Sequence, residues 1–277
     1  MQLSSTYFAA FFHQPNVAQR LGLIRISVGV VTLVVLALGF DTAFTQALAG
    51  IVLDRETIPL VVMATVPYLA WVQVLGVIAA ACFALGILFR LSGGLMVLSL
   101  GLLSFVNASL APEPWAFNTH LLFFALFLIC TQSADVYSLL KPSGPISELH
   151  VRNGSAAISA MQLYVAVLYF QTGFSKLLHS GPDWFTSGDT AQFFMARIGT
   201  PIGVALANIP TVAVVGSLLT GLFELAFLFV FLIWYRATPV LICVAILFHL
   251  SMLVALGIAF WHLWILYPAL FLLKRTP

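Results

Sequence analysis

Residues 238–273 run without a single Asp, Glu, Lys or Arg. A helix of about 20 apolar residues already crosses the hydrocarbon core of a bilayer. In lipid every backbone amide must find its partner within the protein, so runs of this length select transmembrane helices. Further apolar runs lie at about 22–40, 68–89, 93–111, 117–134, 156–177 and 210–234. The 238–273 stretch is too long for one span, and Gly257 is the expected turn inside it. The expected fold is therefore an all-α integral membrane protein, a bundle of about eight transmembrane helices in a single domain over 1–277. Seven spans is the alternative count. Composition agrees: 62% of residues are hydrophobic and 7% charged, against about a quarter charged in soluble domains.

The few charges are informative. Eleven Lys and Arg nearly balance nine Asp and Glu, at a formal +2. That excludes a basic face for nucleic acid and a disordered charged tail. Cys82, Cys130 and Cys243 lie inside apolar runs and read as packing residues. Ala47-Leu48-Ala49 resembles a signal-peptidase site but falls well past the end of the first run, so an uncleaved first helix is expected. One set of connections holds Arg20, Arg25, Arg90, Lys141, Arg152, Arg236, Lys274 and Arg275, and the other holds Arg55, Lys176 and Arg197. This asymmetry places both termini in the cytoplasm, which needs an even number of spans. The longer outer connections, about 41–67 and 178–209, are expected to form interfacial loops or short helices.

Ionisable groups at membrane depth are costly and tend to mark function. His120 opens the fourth run and Lys176 closes the fifth. Glu224 sits within the sixth, His249 within the seventh, and His262 in the eighth. Each has a plain reading beside the functional one. Lys176 either snorkels to headgroups or serves a site that includes Trp184, since His179, Asp183 and Trp184 follow it closely. His262, between Trp261 and Trp264, fits an aromatic interfacial belt. Asn118 and His120 fit a helix start as well as a site. Glu224 and His249 need polar partners wherever they lie. If the topology holds, these residues line one outward-facing cavity. Neither HExxH nor CxxC occurs, and the histidines do not pair at two depths, so no metal or haem is expected.

The order of motifs resembles a known family. "YFQTGFSKL" (169–177) followed by "DWFTSG" (183–188) is similar to the Tyr-Phe-x-x-Gly-x-x-Lys-Leu…Trp-x-x-Gly stretch of the vitamin K-dependent gamma-carboxylases and their bacterial relatives, the HTTM proteins. "RLGLIRISVG" (20–29), "ALGILFRLSG" (84–93), "NTHLLFF" (118–124), "SADVYSLL" (133–140) and "FELAFLFVFLIWYRATPVLICVAILFH" (223–249) resemble further family segments in the same order. The resemblance implies that Lys176 is the base that deprotonates a vitamin K hydroquinone-like quinol, and that His120 lies in the same membrane site. It implies substrate or quinol contacts for Trp184, His249, Glu224, His262 and Asn118. The chain stops soon after its last apolar run, so a short member without the lumenal substrate domain is expected, in a bacterial cytoplasmic membrane.

Three functions follow. The first is a membrane enzyme using Lys176 as general base on a quinol-like or other lipophilic substrate, with lipid and a lipophilic quinone as partners. The second is a non-enzymatic membrane factor for maturation or export of a secreted peptide, acting with that peptide or a partner membrane subunit. The third is a small-molecule transporter, although no pair of broken repeats is visible.

Overall fold

The computed structural model describes residues 16–40, 64–110, 119–131, 138–139, 148–234 and 237–272. The secondary structure among them is helical. Five helices lead the chain: α1 (Val17–Leu38), α2 (Leu69–Leu85, entered through a 3-10 turn at Val66–Tyr68), α3 (Phe89–Leu110), α4 (Thr119–Cys130) and α5 (Glu148–Ser180). Then come α6 (Asp183–Thr186), α7 (Asp189–Ile198), α8 (Pro201–Ala207), α9 (Pro210–Ile233), α10 (Thr238–Leu256) and α11 (Trp261–Trp264), before a π-helical turn at Pro268–Leu272. Six of these helices are long and apolar enough to cross a membrane. The chain is an all-α membrane protein.

The expected spans map onto this series with two differences. The fourth appears as the twelve-residue α4, and its expected flanks fall outside the described residues. The second half of 238–273 is not one helix. Gly257, at φ 72°, ends α10 as expected. Pro268, which has no amide hydrogen and clashes with a preceding helical turn, separates α11 from the π turn. The 178–209 connection forms three short helices, α6 to α8. The 41–67 connection lies almost wholly outside the described residues.

Two compact units emerge, Met1–Met161 with Leu273–Pro277, and Gln162–Leu272. In the first, α1 packs on α2, α2 on α3 and α3 on α4. A Cβ at Gly29 would lie 2.7 Å from that of Ala84, so glycine lets α1 and α2 touch backbone to backbone. That approach lets Arg25, 1% exposed, reach the end of α2. Its Nη1 donates to the carbonyl of Phe83 at 2.6 Å and to that of Ala84.

The other carbonyls there are also satisfied. Gly86 takes φ 74°, and the Ile87 amide donates back to Cys82 at 2.8 Å. The Leu139 amide donates to Leu85 at 3.0 Å, and the Ser138 hydroxyl to Gly86 at 2.9 Å. Reciprocally, the Gln73 Nε2 of α2 donates to Leu36 and Phe40 at the end of α1, at 2.6 and 3.1 Å. Orphan carbonyls at a helix end are costly in apolar surroundings. Three of the quoted segments, 20–29, 84–93 and 133–140, thus converge on one structural task. Arg20 and Arg25 are buried, so they have a packing reason to be there besides charge asymmetry.

Arg25→Ala is expected to lower stability by about 1–3 kcal/mol, since buried acceptors lose their donor. The exposed Arg90→Ala should stay within about 0.5 kcal/mol. Thermal melts of the two variants in detergent check this, and equal melting temperatures would contradict the capping role.

Candidate functional site

The second unit holds the site. α5 ends at Gly181, whose φ of 67° turns the chain back. Pro182 then opens α6, which packs on α9. Gly188, at φ 74°, passes so close to α9 that a Cβ there would lie 2.5 Å from the Val214 amide nitrogen. The Phe185 ring fills the space that a Cβ on Gly221 would need. These contacts fold the "DWFTSG" segment onto α9. A Cβ on Gly173 of α5 would lie 2.9 Å from the Cβ of Glu224 on α9. The glycine of the Gly-x-x-Lys motif is therefore a contact residue: it brings α9 against α5 one turn before Lys176.

At that contact the Lys176 Nζ donates to both Glu224 oxygens at 2.6 Å. The lysine side chain is 24% exposed and the glutamate 4%. The same ammonium stands over the Trp184 ring, 4.6 Å from its centroid. A buried carboxylate alone would be strongly unfavourable, and a hydrogen-bonded cation offsets much of that cost. The indole face adds a cation–π attraction.

A second polar group lies on the same helices. Tyr169 precedes Lys176 by seven residues, close to two helical turns, and so shares its face of α5. Its hydroxyl is 2.7 Å from the His249 Nε2 on α10 and 2.6 Å from the Tyr267 hydroxyl. The Tyr169 ring stacks on Phe227 at 4.5 Å and meets Phe223 edge-on at 5.0 Å. Those two phenylalanines flank Glu224 on α9. Below them the unit is closed by caps: Thr200, at the start of α8, gives its amide to Ala255 at 3.1 Å and its hydroxyl to Val254 at 2.5 Å.

The structure thus brings Lys176, Glu224 and Trp184 into direct contact and sets His249 in a neighbouring network. His262 is half-buried, with its ring 6.4 Å from Phe260 and 6.0 Å from Trp261. His120 belongs to the first unit, is 2% exposed, and meets Phe124 edge-on at 6.1 Å. Asn118 lies outside the described residues. Among the described residues no group of three or more His, Cys, Asp and Glu is placed to hold a metal ion.

Sequence reasoning missed Tyr169 and Tyr267 as site residues. Tyr169 carried a signal, its seven-residue spacing from Lys176 within the same motif. Tyr267 carried none, because an apolar run conceals which of its aromatics turns inward.

Residues 13–275 match the family model described as the HTTM domain. The chain belongs to the HTTM family. The HTTM domain is related to the vitamin K-dependent carboxylases. Comparison with curated proteins and with solved structures gave no match. Within this HTTM domain, the Lys-Leu…Trp-x-x-x-Gly segment is the part that carries the Lys176–Glu224–Trp184 contact.

Gly173→Ala is expected to force α5 and α9 apart and to cost about 1–3 kcal/mol, as overpacking does. Gly216→Ala, on the same α9 but with open space around it, should be neutral or stabilising by up to about 1 kcal/mol. Melting temperatures of both variants test the contact, and a tolerated Gly173→Ala would contradict it.

Proposed function

We propose that this HTTM protein is a membrane enzyme in which Lys176 and Glu224 act as one proton-accepting unit on a lipophilic, quinol-like substrate. The observation that carries this reading is the 2.6 Å contact of the Lys176 Nζ with both carboxylate oxygens, beside an indole face. A lysine amine accepts a proton only when it has released one of its own. Here the carboxylate lies where that proton can go. In a medium of low dielectric the exchange from ammonium and carboxylate to amine and carboxylic acid is less unfavourable than in water. Nζ then takes up an incoming proton while Glu224 holds the first, so the pair gains one proton in total. General bases contribute about 10²–10⁴-fold to rate.

The residues suit a quinol. When bound, a quinol supplies an aromatic ring and weakly acidic hydroxyl hydrogens. Trp184 offers a flat indole surface, and Lys176, though paired, keeps part of its side chain accessible. Phe223 and Phe227 make the flank of Glu224 apolar and aromatic. His120 and His262 remain candidates for orienting a substrate by virtue of the family resemblance.

One observation also favours a different role. The pair is geometrically complete, so it can serve as a static clamp between α5 and α9 in a non-enzymatic factor that matures or exports a secreted peptide.

Lys176→Arg separates the two. Arginine stays protonated at any working pH and forms bidentate contacts with a carboxylate, so it keeps a clamp and abolishes a base. The expected outcome is a melting temperature close to wild type, with oxygen-dependent consumption of reduced menadione in nanodiscs falling by about 10²-fold or more. Full turnover in Lys176→Arg would overturn the base. No turnover of any reduced quinone by the wild type, with a wild-type phenotype for Lys176→Arg, would return the pair to a clamp.

A further inference from the structure

We propose that His249 donates a hydrogen bond from Nδ1–H to the acceptor oxygen of an apolar carbonyl compound bound beside the Tyr169 network. His249 is 4% exposed, and its Nδ1 is shielded from solvent with no hydrogen-bond partner among the described residues. Its Nε2 is already engaged by Tyr169. Buried polar atoms of native proteins nearly always have a partner, so an orphan asks what fills it.

Counting hydrogens decides whether that orphan is a donor or an acceptor. Tyr267, Tyr169 and His249 form a chain with one hydrogen on each hydroxyl and one on the neutral imidazole. Suppose His249 donates through Nε2. Tyr169 then donates to Tyr267, and the Tyr267 hydrogen has no acceptor in a fully buried position. The Nδ1 lone pair is stranded as well. Suppose instead that Tyr267 donates to Tyr169 and Tyr169 to Nε2. Every hydroxyl hydrogen is then used, and the imidazole carries its hydrogen on Nδ1. This direction leaves a single unmet group, an N–H donor. What it lacks is an oxygen acceptor.

The surroundings set the rest of the ligand. The His249 ring lies 5.3 Å from Phe248 and 5.4 Å from Phe260. Phe260 is half-buried and belongs to the non-helical 257–260 segment that follows the left-handed Gly257. An N–H among aromatic rings selects an apolar molecule with one accepting oxygen, and a carbonyl on a ring system meets both demands. The ligand class rests on the proposed function, whereas the donor role of Nδ1 does not.

Nitrogen NMR of full-length, 15N-histidine-labelled protein in nanodiscs tests the assignment, with the His249 signals identified by their loss in His249→Gln. The probes are menadione and 2-methylnaphthalene, which has a similar shape but no carbonyl. The expected result is a protonated Nδ1 and an unprotonated Nε2. Menadione should shift the Nδ1–H signal, and 2-methylnaphthalene should leave it in place. Tyr169→Phe, which removes the hydroxyl donor, should populate both tautomers. Lys176→Arg should keep the menadione shift, so a failed base and a failed donor are distinguishable. An Nε2–H tautomer in the wild type overturns the proposal. So does an Nδ1 signal that menadione does not move up to its solubility limit, which would mean that water alone occupies the position.

Discussion

A carboxylate that is 4% exposed in an apolar helix pair is the constraint around which the second unit is built. Left alone, Glu224 would cost several kcal/mol through lost hydration. Lys176 answers it from α5, and Trp184 supports the lysine from α6. The rest of the local sequence brings these three side chains together. Gly173 removes the bulk that would hold α5 off α9, Gly221 makes room for Phe185, and Gly188 lets the α6–α7 turn lie on the backbone of α9. A lysine at the end of an apolar run is thus explained less by headgroups than by a buried acid on the facing helix. The same pairing that stabilises the contact gives the lysine a proton acceptor within hydrogen-bond distance, which links the packing to the proposed chemistry.

The first unit obeys the same rule with different groups. Its demand comes from backbone carbonyls at the end of α2, and Arg25, Ser138 and the Leu139 amide meet it. These residues lie far apart in sequence, so the cap ties α1, α2 and the segment before α5 to one point. A sequence motif that looks functional can therefore be a hydrogen-bond solution that lipid makes obligatory.

Fold class was legible because hydrophobic run length is a one-dimensional quantity. The runs at 210–234 and 238–256 became α9 and α10 almost residue for residue. The end of 238–273 was less legible, since Pro268 and Gly257 break a helix that composition alone would continue. Lys176, Glu224, Trp184 and His249 stood out as polar residues in apolar runs. Their partners did not. That Lys176 pairs with Glu224, 48 residues on, depends on which faces of α5 and α9 meet, and a chain apolar on all sides carries no amphipathic stripe to show it. Tyr267 was hidden for the same reason. His120 was visible by resemblance and proves buried in the first unit.

The interdependence of Lys176 and Glu224 is the central claim, and a double-mutant cycle on thermal stability measures it most directly. Lys176→Met strands a buried carboxylate, and Glu224→Leu leaves an ammonium in apolar surroundings. Each is expected to destabilise, by about 3–5 kcal/mol where the abandoned charge is the deeply buried one. The double variant replaces the pair by apolar groups of similar volume and should recover most of the loss, a strongly non-additive cycle. Losses that simply add in the double variant would contradict the pair, and with it the site built around it.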